Sequence, residues 1–407
     1  MRVAYVTPRY GPEVMGGAEG AARSLAEHLV SDRGVEVEIY TTCALNHLTW
    51  ENILPAGDEI INGVTVHRFE VAQARGDAFY ALDGQIRVSP RAISDEMAIA
   101  WIVANGPYAP GLIEALRNTT ADVVCFYPYL FWTSWAGMQA TQVPRVVHPA
   151  AHDEPALYLS AMASVFTDAD AFCWHTVSER QLVESLIPIA ATPSTVLGLG
   201  THGSAPTSRS GAAVLGLDEG SPYVVSVGRV DEQKGSVMLA KFFAAYKAAY
   251  PGPLKLVFVG PVSAQPPDHP DVVVAGILDE EEKADVVSDA LVSISPSAME
   301  SFSLVVIEAF ELAVPVMVNG TCGPTVEHAA QSGGGLAFSS LAEFIETLQR
   351  LISDEALRLS MGEAGRDYAR ERFSWPSMIE RYEEFLKTVI ARGRREPRGP
   401  QFASGLF

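Results

Sequence analysis

Glu300 and Glu308 stand eight positions apart in the run PSAMESFSLVVIE that covers residues 296–308. A carboxylate accepts hydrogen bonds from hydroxyls but repels phosphate, so two of them flanking one anion site suit a ligand with hydroxyls at both ends and a diphosphate between. Local sequence supplies such a site. Residues 290–295 read as a short buried strand, Pro296 stops it, and the apolar run from Ser303 to Leu312 reads as a helix. Glu300 then lies in the loop and Glu308 in the helix's second turn. The backbone N–H groups of Ser301, Phe302, Ser303 and Leu304 would point out of the helix start, where the helix dipole favours an anion. The plainer alternative is that Glu300 only favours the helix start and Glu308 sits on a solvated face.

A second group of residues points to the same ligand. Residues 221–228 form a β-branched strand that runs into Arg229, Asp231, Lys234 and Gly235, ahead of a helical stretch from about Val237 to Tyr246. Arg229 can fork onto phosphate oxygens and Lys234 can add a point charge, as needed where a diphosphate leaving group gains negative charge. A solvated, charged surface loop is the plainer alternative here.

Taken together, the residue 228–235 motif and the Glu300/Glu308 pair resemble the signature of retaining GT-B glycosyltransferases of glycosyltransferase family 4. The resemblance covers nearly the whole chain. It takes in the opening MRVAYVTP with Gly16, Gly17, Ala18 and Glu19, the helix start at Val177, Ser178 and Glu179, and the closing Phe373, Ser374 and Trp375 before an amphipathic helix. The resemblance implies two Rossmann-like α/β domains with parallel sheets facing across a cleft. It also implies transfer of a hexosyl unit, with retention, from a nucleotide diphosphate sugar to a hydroxyl acceptor, and no cofactor. Arg229 and Lys234 would hold the diphosphate, Glu300 the sugar hydroxyls and Glu308 the ribose. Gly16 and Gly17 would lie beside the donor phosphates and the acceptor, and the last helix would cross back onto the N-terminal domain over a hinge near Phe373 to Pro376. Gly323, Pro324 and Glu327 resemble a further nucleotide-side loop. One departure is Ser303, where the family commonly has Gly; a side chain there narrows the space around the donor sugar.

His148 and His152 follow another strand. Pro149 breaks any helix that would put both on one face, and no third ligand is spaced to match, so no metal is expected. In the family a histidine after this strand contacts the acceptor or the donor sugar. Both positions compete for that role. His152 is favoured, because His148 falls in apolar strand sequence where a packed, hydrogen-bonded histidine is the ordinary state. No acidic pair of the Asp-x-Asp kind appears, so no divalent requirement is expected.

Other readings of the same pattern are a nucleotide-sugar epimerase of GT-B architecture and a non-catalytic sugar-nucleotide-binding subunit. The second loses ground because Arg229, Lys234, Glu300 and Glu308 are all present. A nicotinamide enzyme is disfavoured, since no Gly-x-Gly-x-x-Gly follows the first strand.

With 407 residues and 48% apolar content the chain can bury large cores. Alternating strand and helix patterns give an N-terminal domain over 1–203, a C-terminal domain over 204–375 after a Gly/Ser-rich linker, a last helix over 376–391 and a flexible tail over 392–407. A net charge of -20 argues against nucleic acid as a partner. The tail, with Arg392, Arg394, Arg395 and Arg398, allows at most weak peripheral membrane contact. Four scattered cysteines, no signal-like opening and no spanning apolar run give the expectation of a cytoplasmic protein with reduced thiols.

Overall fold

The computed structural model describes residues 1–14, 17–201, 203 and 205–394. The chain divides into two compact units: Met1–Gly198 with the chain from Met378, and Leu199–Ser377.

The first unit holds eight strands: β1 (Arg2–Val6), β2 (Glu36–Thr42), β3 (Gly57–Ile61), β4 (Val64–Phe69), β5 (Val123–Phe126), β6 (Arg145–Val147), β7 (Ala171–Trp174) and β8 (Ser194–Val196). Their order across the sheet is β3-β4-β2-β1-β5-β6-β7-β8. Strands β5, β6 and β7 are buried along their whole length, as helix-covered parallel strands must be. The sequence does not announce β3. It is polar, exposed and antiparallel to β4, joined by a turn in which Asn62 and Gly63 both have positive φ, the arrangement of a tight hairpin.

The second unit holds β9 (Tyr223–Val227), β10 (Lys255–Val259), β11 (Val272–Gly276), β12 (Ser293–Ser295), β13 (Val316–Asn319) and β14 (Gly335–Phe338), all parallel, in the order β11-β10-β9-β12-β13-β14. In each sheet the winding direction reverses once, between β1 and β5 and between β9 and β12. Open sheets of this kind bind ligands beyond the carboxyl ends of the strands at that reversal.

The last helix, Trp375–Arg392, passes from the second unit into the first. There Met378, Ile379, Tyr382, Leu386 and Val389 are buried at helical spacing. Tyr382 Oη lies 2.8 Å from Tyr5 Oη and 2.9 Å from His148 Nε2, and Arg33 Nε donates to Glu383 at 2.6 Å. All four cysteines are buried and unpaired, and among the described residues no helix is long and apolar enough to cross a membrane.

Burial pushes His148 and His175 in the first unit and His328 in the second down to about 3, so each is neutral at ordinary pH. Their folded pKa lies below the unfolded one. The stability they allow is therefore complete above about pH 6.5 and drains away as pH falls toward 3, at about 2 kcal/mol each by pH 5. Buried Glu179, pushed up to about 7, works the other way and offsets one histidine in the first unit. Stability is expected to fall by roughly 2–4 kcal/mol between pH 7 and pH 5. Denaturant melts at the two pH values check this, and a midpoint that held steady to pH 5 would contradict it.

Candidate functional site

Strand β9 ends at Val227, and residues 228–235 form the loop beyond its carboxyl end. Asp231 organises that loop. Its Oδ1 accepts the backbone N–H of Lys234 at 2.6 Å, its Oδ2 accepts Arg229 Nε, and its carbonyl accepts the N–H of Ser236 at 3.0 Å. Burial pushes the Asp231 carboxyl up, but the Lys234 amide and the Arg229 guanidinium outweigh it and hold the group below its ordinary range. Gly235 closes the turn at φ +79, ahead of the helix Ser236–Ala249. A Cβ there would stand 2.7 Å from the Pro296 carbonyl oxygen, so only glycine lets this loop approach the end of β12.

The approach brings two motifs together. Lys234 Nζ lies 2.7 Å from Glu300 Oε1, and Arg229 leaves the same strand end, its Nη2 3.4 Å from Gln233 Oε1. The Lys234–Glu300 pair thus joins the loops that follow β9 and β12, where the second sheet reverses.

The loop after β12 rests on an aromatic platform that the sequence does not advertise. Phe302, buried, sets its ring edge-on to His328 and Phe373 at centroid distances of 4.7 and 5.0 Å, and His328 Nδ1 meets Tyr368 Oη at 2.9 Å. Asn319 Nδ2 donates to the Pro296 carbonyl at 2.9 Å. Ser301 sits in this loop, and Ser303 immediately precedes the helix Leu304–Glu311 at φ +78 and ψ +79.

That left-handed backbone favours glycine, and Ser303 occupies it with a buried Oγ that has no hydrogen-bond partner. A side chain at positive φ costs about 1 kcal/mol, and a buried orphan hydroxyl about 1–3 kcal/mol. Ser303→Gly is therefore expected to stabilise the protein by about 1–2 kcal/mol, as read from a denaturant midpoint. A lower midpoint in the variant would show that the hydroxyl is satisfied.

Glu308 lies in the second turn of that helix, with Oε2 3.3 Å from Lys283 Nζ, and Lys283 also pairs with Glu280 Oε2 at 2.7 Å. Burial favours the neutral amine of Lys283, but Glu308 and Glu280 outweigh it and raise its pKa. Sequence reasoning passed over Lys283 and gave Asp231, within its motif, no role. The spacing of Glu280 and Lys283 on one helix was a visible cue, whereas the reach to Glu308 was not. Gly323 and Pro324 start the helix Gly323–Ser332, and Glu327 lies within it.

In the first unit, Arg9 fastens the segment after β1. Its Nε donates to Glu19 at 2.9 Å and its Nη1 to the Leu45 carbonyl at 2.8 Å, with Arg9 and Glu19 both buried. Gly17 opens the helix Gly17–Arg33 with nothing within 4 Å of where its Cβ would stand; Gly16 lies outside the described residues.

His148 follows β6 directly, buried against Tyr382. His152 keeps 31% of its side chain exposed and sets Nδ1 3.8 Å from Glu154 Oε1. Its loop is held by Glu179, whose two oxygens accept the backbone N–H groups of Ala151 at 2.8 Å and His175 at 2.7 Å. Of the basic tail, Arg394 donates to Gln142 at 2.6 Å, while Arg395 and Arg398 lie outside the described residues. Among the described residues no three His, Cys, Asp or Glu side chains are grouped to hold a metal ion.

Residues 211–368 match the family model of glycosyl transferases group 1. The chain is 23% identical over 410 residues to a D-inositol 3-phosphate glycosyltransferase of Stackebrandtia nassauensis, covering 90% of this chain and 87% of that one. Among solved structures it resembles a sucrose-phosphate synthase from Thermosynechococcus elongatus, with a TM-score of 0.71, 19% identity, and coverage of 96% of this chain and 99% of that one. It also resembles HepE of Anabaena, solved with UDP and glucose, with a TM-score of 0.66, 15% identity, and coverage of 95% and 100%.

Proposed function

We propose that this chain, a glycosyltransferase of GT-B fold whose residues 211–368 match the glycosyl transferases group 1, moves a hexosyl unit from a nucleotide diphosphate sugar to a hydroxyl acceptor with retention of configuration. One observation carries the reading: Lys234 and Glu300, sixty-six positions apart, meet at 2.7 Å beyond the strand ends where the second sheet reverses, with Arg229 in the same loop as Lys234. A diphosphate leaving group gains charge as its bond to the sugar breaks. Two fixed cations stabilise it more in the transition state than in the bound donor, which is what accelerates the step.

Lys234 exchanges its carboxylate partner for phosphate oxygens, and Glu300, released, accepts hydroxyls of the transferred sugar. The backbone N–H groups of residues 301–304 face the diphosphate, and Glu308 accepts the ribose hydroxyls. His152 and the Gly16–Gly17 loop are assigned to the acceptor or the transferred sugar. We place the enzyme in the cytoplasm, a reading supported by the four buried, unpaired thiols. HepE holds UDP and glucose, so UDP-glucose is the first donor to try. Hydroxyls of phosphorylated polyols and sugars are the first acceptors, following the printed names of the relatives.

The test is a thermal-shift screen of UDP-, GDP- and ADP-sugars, followed by NMR of the product's anomeric centre. An α-linked product from an α-linked donor is expected. A β-linked product would overturn retention, and a new nucleotide sugar formed without acceptor would point to an epimerase. Turnover is expected to persist in excess chelator, because Arg229 and Lys234 supply the charge at the diphosphate. Loss of turnover that magnesium or manganese restores would refute this.

A further inference from the structure

Glu308 and Lys283 come from different helices, Leu304–Glu311 and Glu280–Ser288, and their side chains meet at 3.3 Å. Around them the charge is lopsided. Glu280 also reaches Lys283, so Lys283 stands between two carboxylates, and Glu311, three positions beyond Glu308, adds its own field to that of Glu308. Its side chain is 19% exposed and that of Glu308 33%.

We propose that Lys283 is a positioning residue for the nucleotide: it fixes the Glu308 carboxylate in the orientation that accepts the ribose hydroxyls. The inference rests on the assignment of Glu308 to the ribose and extends it to a residue that touches no ligand. An ionised carboxylate offers about four acceptor positions, so one oxygen can take Lys283 while the remaining lone pairs receive two hydroxyls. A ribose laid over Glu308 removes the water that now covers a third of it. Desolvating a lone carboxylate is unfavourable, and doing so beside a fixed ammonium much less so. Lys283 thus contributes to affinity only when the ligand carries hydroxyls for Glu308.

That condition gives the test. UDP, GDP and ADP, and their 2′,3′-dideoxy forms, are titrated calorimetrically into the full chain and into Lys283→Met, Lys283→Arg and Glu308→Gln. For each diphosphate that binds, Lys283→Met is expected to weaken the ribose form about tenfold and the dideoxy form about twofold or less, and Lys283→Arg to recover most of the loss. A merely structural lysine would lower both forms alike, and that result overturns the proposal, as does a Lys283→Met protein that binds the ribose form normally. Failure of the underlying assignment looks different: the unmodified chain, and Glu308→Gln with it, would then make no distinction between ribose and dideoxy ligands. If none of the three diphosphates binds, the assignment and the proposal fall together.

Discussion

Turnover of Arg229→Ala and of Lys234→Ala should each fall by two or more orders of magnitude, a loss of about 3 kcal/mol of transition-state stabilisation, while donor affinity falls less. Charge on the diphosphate grows as the sugar departs, so a cation is worth more at the transition state than in the bound donor. The two cations are held ready in different ways. Arg229 is braced by Asp231 and Gln233, which keeps its fork in one plane, so Arg229→Lys should recover little. Lys234 has its amide pinned by Asp231 and its ammonium paired with Glu300. Deleting Lys234 alone also leaves Glu300 unpaired, so the combined Lys234→Ala/Glu300→Ala variant should lose less than the product of the two single losses. Steady-state kinetics with the donor found by screening decide the matter, and near-normal turnover in both single variants would sink the assignment.

Much of this arrangement can be read from the chain because it depends on short local patterns. The β-branched run ahead of Arg229, the stop at Pro296 and the apolar run after Ser303 each mark an element, and parallel sheets place the ends of such strands side by side. Ser303 is half legible. A residue bridging loop and helix at this place favours glycine, but only the backbone shows that a serine adopts the left-handed conformation with its hydroxyl orphaned. What the sequence hides depends on long separations. Phe302 needs His328, Tyr368 and Phe373 beneath it, and Lys283 meets Glu308 only because the fold brings side chains of two separate helices together. Strand β3 escapes for another reason: exposed and polar, it lacks the apolar alternation that marks a strand, and only its Asn62–Gly63 turn gives it away. His148 and His152 are separated by environment, one sealed against Tyr382 and the other partly open to solvent.

The two carboxylates of the site should prove separable. Glu308→Ala is expected to raise the dissociation constant for the nucleoside diphosphate about ten- to a hundredfold, since buried hydroxyls left without an acceptor cost about 1–3 kcal/mol. The loss would not come from damage to the fold, because Lys283 keeps Glu280 as a partner when Glu308 is removed. Glu300→Ala should act in the opposite sense. It frees Lys234 from its 2.7 Å partner, leaving the ammonium available to phosphate, so affinity for the nucleoside diphosphate should hold or rise while turnover falls through misplacement of the transferred sugar. The free nucleoside diphosphate is the ligand to titrate, as it carries the ribose and lacks the sugar. Calorimetry on both variants separates the roles: an equal loss of affinity in the two, or a larger loss in Glu300→Ala, would refute the division. A tighter complex in Glu300→Ala together with impaired turnover would mean that the Lys234–Glu300 pair in the empty site is a contact that donor binding must break.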